Sequence, residues 1–381
     1  MVGCDSRFDT FQPNEVFSLA LAKTRSTSTD LASQDASRVV EELYGTPDEP
    51  LWPDLPAAKK AVSDERNLFR SSGPVSSEKD GTHLGLFREH CVTCHALEGS
   101  GAGPASAFQN PYPRDFRHGV FKWKSTKRGH KPTRRDIREL LVRGIPGTAM
   151  PSFALLEPED LDALVDYVVF LSARGEVERR VTAAAIDELD YGETSPVAEL
   201  MLSSQSGTEG GQVVQDVVGR VHTDWAEAEE HEVVVPYFPE LSGEQLAASV
   251  TRGKAFFHGK VANCAGCHGP AGDGSLPTLD YDDWTKEYTT RIGLTPDDRA
   301  AMKPFRDAGA LRPRTIAPRT LGDGVFHGGG DSASLYRRIT QGIAGTPMPA
   351  VEVVSESNGK GLTDGQIWDL VRYVQQLSTS H

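Results

Sequence analysis

Two short runs gather the chemically able side chains of this chain: Cys91-Val92-Thr93-Cys94-His95 and Cys264-Ala265-Gly266-Cys267-His268. Two thiols separated by two residues can add to the two vinyl groups of one haem. A histidine directly after them then reaches the iron from the same side. This C-x-x-C-H spacing is the attachment signature of a c-type haem. Four of the five cysteines stand in the two runs, so two covalently bound haem c groups are expected. A zinc site built from both pairs needs neither histidine, and the pairs lie about 170 residues apart. A thioredoxin-like pair needs a βαβ pattern around it, and none is visible.

An iron held by His95 or His268 has a second axial position to fill. A thioether suits it, because neutral sulfur favours Fe(II) and raises the potential relative to a second histidine. Of the five methionines, only Met150 and Met348 stand at matching positions of a repeat, each followed by proline in a Gly-rich loop. They are the expected iron ligands, and with them both irons are six-coordinate and closed to substrate. Met201, in a linker, and Met302, in an insertion, read as structural. His83, His90, His118, His130, His258 and His327 read as surface residues or neighbours of haem propionates.

The elements that must position these groups occur twice. Gly144-Ile145-Pro146-Gly147-Thr148-Ala149-Met150-Pro151 matches Gly342-Ile343-Ala344-Gly345-Thr346-Pro347-Met348-Pro349 at six of eight positions. Pro113-Arg114 through Gly119-Val120-Phe121 returns as Pro318-Arg319 through Gly324-Val325-Phe326, and the Leu164–Ser172 block returns at Leu370–Ser378. The blocks keep their order, so the chain contains a duplicated domain. Apolar periodicity predicts helices at Gly81–His90 and Leu246–His258 before the attachment runs. It predicts others after Thr133 and over Ser334–Thr340, and closing helices over Pro158–Leu171 and Thr363–Leu377. The expected fold is mainly α: two tandem helical domains around covalent haems, with loop-rich connections and a partly helical linker.

On these motifs the chain resembles the class I c-type cytochromes over about 240 residues, in two copies. The resemblance implies a one-electron carrier rather than an enzyme, with redox proteins as partners. A subunit of a respiratory or dehydrogenase complex and a dihaem peroxidase are the rival readings. In the family a proline carbonyl after the attachment site accepts from the ligating histidine. That role falls to Pro104 in the first copy and Pro277 in the second. The implied divisions are 1–75, an N-terminal tether or extension; 76–175, the first cytochrome domain; 176–240, an acidic linker; and 241–381, the second.

The formal net charge of −14 argues against nucleic acid as a partner. Covalent haem attachment implies assembly outside the cytoplasm. Met1-Val2-Gly3-Cys4 resembles the end of a bacterial lipoprotein signal, so Cys4 is the expected lipidated residue of a periplasm-facing protein, with residues 23–37 as its flexible tether. Against the acidic background, residues 112–143 hold eleven Arg or Lys and three acidic residues. This basic segment reads as a partner of haem propionates, through Arg114, Arg117 or Trp123, or as a docking patch. Residues 176–232 carry fourteen acidic residues against three arginines and read as a linker that could neutralise it, with helical pieces at Val181–Leu189 and Val197–Ser203.

Overall fold

The computed structural model describes residues 10–192, 199–200, 207–276, 280–356 and 359–379. Cys4, Pro277, Met201 and most of the Val197–Ser203 segment lie outside them. The fold is helical as expected: among the described residues the only strands are Ser76–Ser77 (β1) and its antiparallel partner His83–Leu84 (β2).

The chain opens with Glu15–Arg25 (α1) and Asp30–Tyr44 (α2), where the sequence suggests a flexible tether. Ala32, Ala36, Val39 and Val40 are fully buried, with the three- and four-residue spacing of one helix face. Small residues let α2 approach closely, and a Ser/Thr/Ala-rich composition conceals that packing. Pro56–Ala61 (α3) and Arg66–Ser71 (α4) follow. The predicted Gly81–His90 helix shortens to Leu86–His90 (α5), because His83 and Leu84 pair with β1. The first attachment run forms Val92–His95 (α6).

Arg134–Arg143 (α7) is set by a reciprocal cap: the Thr133 hydroxyl accepts from the Asp136 amide, and the Asp136 carboxylate accepts from the Thr133 amide. Pro158–Leu189 (α8) then runs far beyond its predicted end at Leu171. Arg174, Gly175, Glu176 and Glu178 look like a helix exit, yet all are buried inside it. Their charges are matched: Arg174 pairs with Glu178 at 3.0 Å, and Glu176 with Lys131 of the basic segment. Gly175 permits a crossing, since a Cβ there would meet Arg117 Cα at 2.7 Å. Glu209–Ala226 (α9) packs on α3 and α8. Residues between Phe11 and Trp225 therefore share one apolar core, and the extension and most of the expected linker belong to the first domain.

In the second domain, Gly243–His258 (α10) leads to Ala265–His268 (α11), and Ser332–Gln341 (α14) precedes the closing helix Asp364–Leu377 (α15), which crosses α10. Its insertion folds as Asp283–Glu287 (α12) and Arg299–Asp307 (α13). Met302 and Phe305 of α13 pack with Ala20 of α1, flanked by Val16 and Leu19. The extension and the insertion, which the sequence leaves without a role, thus clasp each other across the two domains. No helix among the described residues is long and apolar enough to cross a membrane.

A buried histidine in the first core makes stability pH-dependent. His222 Nε2 lies 2.8 Å from the Tyr44 hydroxyl, and burial holds its imidazole down at about 4. Because the folded state resists protonation, stability from this group is complete above the ordinary histidine range, near 6.5, and is lost as pH falls toward 4. Between pH 7 and 5 the expected loss is about 2 kcal/mol. Urea unfolding followed by circular dichroism should show that this part of the slope disappears in His222→Gln.

Candidate functional site

The two attachment runs are held by the same backbone frame. His95 and His268 donate their amides to Cys91 and Cys264 carbonyls at 2.8 Å each, and accept on their own carbonyls from Gly101 and Gly274. His95 Nδ1 donates to the Arg114 carbonyl at 3.1 Å, and His268 Nδ1 to the Arg319 carbonyl at 3.0 Å. A carbonyl can only accept, so Nδ1 carries the hydrogen and Nε2 presents a lone pair. Burial pushes the His95 imidazole down to about 4, which keeps it neutral and able to ligate. Phe116 stacks on the ring at 4.6 Å.

These acceptors correct the proline assignment. Pro104 sits in an exposed turn beside the run, where Gly103 and Ala105 donate to Cys94 and Thr93 carbonyls. Its segment braces the run, but the Pro104 carbonyl does not receive His95. The second acceptor is likewise Arg319, where Pro277 was expected. Both arginines follow proline in the Pro-Arg block shared by the two copies. That repeated pair was the available signal.

Met150 and Met348 occupy one loop shape. Thr148 Oγ1 donates to the Ile145 carbonyl and accepts from the Met150 amide, at 2.8 and 3.1 Å. Thr346 does the same between Ile343 and Met348, at 2.9 and 3.2 Å. Ile145 and Ile343 close each loop by donating to the carbonyl of its methionine. Gly144 and Gly342 enter at φ 67° and 64°, a conformation that side chains disfavour, and a Cβ there would strike Pro151 or Pro349. The Met150 side chain packs on the core that includes Cys91, Phe116 and Leu141.

The loops face the neighbouring domain. A Cβ on Gly147 would meet Val325 Cγ1 at 2.9 Å and Arg319 and His327 just beyond. In the other direction, Gly345 abuts Trp284 of α12, whose ring lies 3.9 Å under the Arg114 guanidinium and 4.8 Å from Lys122 Nζ. The insertion thereby wedges one tryptophan between the second methionine loop and the residue that orients His95. Arg179–Glu287 adds an ion pair across the same boundary. The basic segment is consequently no open docking patch. Arg117 pairs with Asp115 at 2.9 Å, Arg135 pairs with Glu232 of the acidic span at 2.6 Å, and Trp123 and Arg128 turn toward the second domain.

The donor set fits a haem joined through both thiols. The four cysteines are free of disulfides, and burial pushes the Cys91 thiol up to about 12 and Cys264 up to about 11. Such neutral thiols do not suit redox exchange, which needs a thiolate. Arg114 Nη1 and Arg319 Nε, at equivalent positions, are buried with no hydrogen-bond partner among the described residues, as cations awaiting a group with carboxylates would be.

The sequence profile of the cytochrome c family matches residues 85–172 and 250–378. No curated protein sequence matches the chain. Among solved structures, a chain of the Kuenenia stuttgartiensis reducing HAO-like protein complex is similar, with 22% identity and a TM-score of 0.47. The match covers 80% of this chain and 98% of that one. Cytochrome c domains imply covalently bound c-type haem with its iron. With more than half of its residues inside the two matched segments, the chain belongs to the cytochrome c family.

Proposed function

We propose that this protein carries two haems and works as a one-electron carrier between redox proteins outside the cytoplasm. The observation that supports it most is the exact repetition of one frame: C-x-x-C-H run, imidazole donating to an arginine carbonyl, and a threonine-braced methionine loop. When bound, haem c supplies a one-electron Fe(III)/Fe(II) couple.

The chain's own residues supply the rest. Arg114 and Arg319 carbonyls fix the His95 and His268 rings and raise their basicity. The Thr148 and Thr346 hydroxyls stiffen the loops that carry Met150 and Met348, whose thioethers would help hold the haems. Arg114 and Arg319 side chains would receive the propionates. If Met150 and Met348 hold the haems together with His95 and His268, no ligand position is left for a substrate, and this supports a carrier. Thioether attachment outside the cytoplasm supports a periplasm-facing location, and a lipid on Cys4 would tether the protein there.

The alkaline pyridine spectrum of the exported protein should report two haems per chain. Cys91→Ser/Cys94→Ser and Cys264→Ser/Cys267→Ser should each leave one. A single haem in the unsubstituted protein would end the two-haem reading.

A further inference from the structure

Between α7 of the first domain and α14 of the second lies a cleft enclosing about 70 Å³ and lined by cations from both. Lys122, Lys124, Arg128 and Arg143 come from one side, Arg337 and Arg338 from the other. Among the described residues none of the six forms an ion pair. Lining carboxylates are few: Asp136 accepts from Thr133 and twice from Ser125, and Glu139 is the other.

Some of these cations are satisfied. Lys124 Nζ donates to the Thr126 hydroxyl and to the Lys127 and His130 carbonyls, and Arg128 donates to the Met348 carbonyl at 3.1 Å. Arg338 lies 5.3 Å over the Trp123 ring, whereas Arg337 Nε is buried without a partner among the described residues. Burial, reinforced by Arg114 and opposed by Asp282 and Asp283, brings Lys122 down to about 7; burial, opposed by Asp331 at the edge of the cleft and reinforced by Arg143, brings Arg338 down to about 10. Like charges gathered in a partly desolvated cleft repel one another, and an anion placed among them would relieve the repulsion.

We propose that this interdomain cleft is an oxyanion site, in which Arg337 and Arg338 from one domain and Lys122 and Arg143 from the other grip one small multivalent oxyanion or carboxylate. Guanidinium groups suit that ligand because their paired N–H donors match its geometry. Two sources share the chemistry: free phosphate-type anions in solution, and the propionates of the protein's own haems. The site stands on side chains of both domains and not on the carrier reading. Its occupation would bind the domains to each other.

Calorimetric titration of the haem-loaded protein with inorganic phosphate at low ionic strength tests it. One saturable site is expected, weakened at least tenfold in Arg143→Gln/Arg337→Gln and less in Arg337→Lys, which keeps the charge but not the planar fork. That pattern identifies a free oxyanion. If phosphate does not bind the unsubstituted protein, but the propionate bending band in resonance Raman moves in Arg337→Gln, the propionates occupy the site. Phosphate binding unaffected by the double substitution overturns the proposal. So does the absence of both binding and a Raman change.

Discussion

Met150→Ala and Met348→Ala are each expected to lower one of the two midpoint potentials by on the order of 0.1–0.3 V, within the roughly 0.8 V that axial ligand identity spans. Each should also remove about half of the weak near-infrared sulfur-to-iron band of the oxidised protein. The prediction is clean because the loops do not depend on the methionine side chains for their shape. Thr148 and Thr346 bond to backbone, and the closing Ile145 and Ile343 amides reach the carbonyl of residue 150 or 348, which alanine keeps. The fold should therefore persist while the sulfur is lost. Spectroelectrochemical titration measures both quantities. An intact band in either variant would remove that methionine from the iron.

Parts of this site are legible in the sequence because their geometry is written in side chains. Gly144 and Thr148 shape the loop that carries Met150, and the second copy repeats them at Gly342 and Thr346 before Met348. The histidine acceptor is harder to find. A main-chain carbonyl has no residue identity, so Arg114, 19 residues beyond His95, gave way to the nearer Pro104. The end of α8 was misplaced for a related reason. Arg174, Glu176 and Glu178 read as solvated charges, and only the folded chain supplies Lys131 and the Asn14 amide as partners. The clasp between α1 and α13 was invisible because each has a short apolar face that is completed only by the other. Trp284 gave no local signal either: it joins two domains that are distant in sequence.

Gly253→Ala should destabilise the second domain, whereas Gly219→Ala should leave stability unchanged or improve it. Both glycines lie within helices, where alanine is intrinsically favoured by about 1 kcal/mol. Space decides between them. At Gly219 nothing lies within 4 Å of a new methyl group. At Gly253 the methyl would collide with the Asp369 carbonyl and approach Tyr373 Cβ to 2.9 Å, both on α15. Those atoms cannot move cheaply. Asp369 is held by Arg252 at 2.7 and 2.9 Å, Arg372 donates to Ser249 at 3.1 Å, and Tyr373 packs edge-on against Phe257. Overpacking at such a contact costs about 1–3 kcal/mol or more, enough to reverse the propensity gain. The consequence reaches function through geometry, since α10 leads into the attachment run and α15 closes the fold behind it. The urea midpoint should fall in Gly253→Ala and hold or rise in Gly219→Ala, with haem content retained in the latter. If Gly253→Ala matches Gly219→Ala, the α10–α15 crossing is looser than these contacts require.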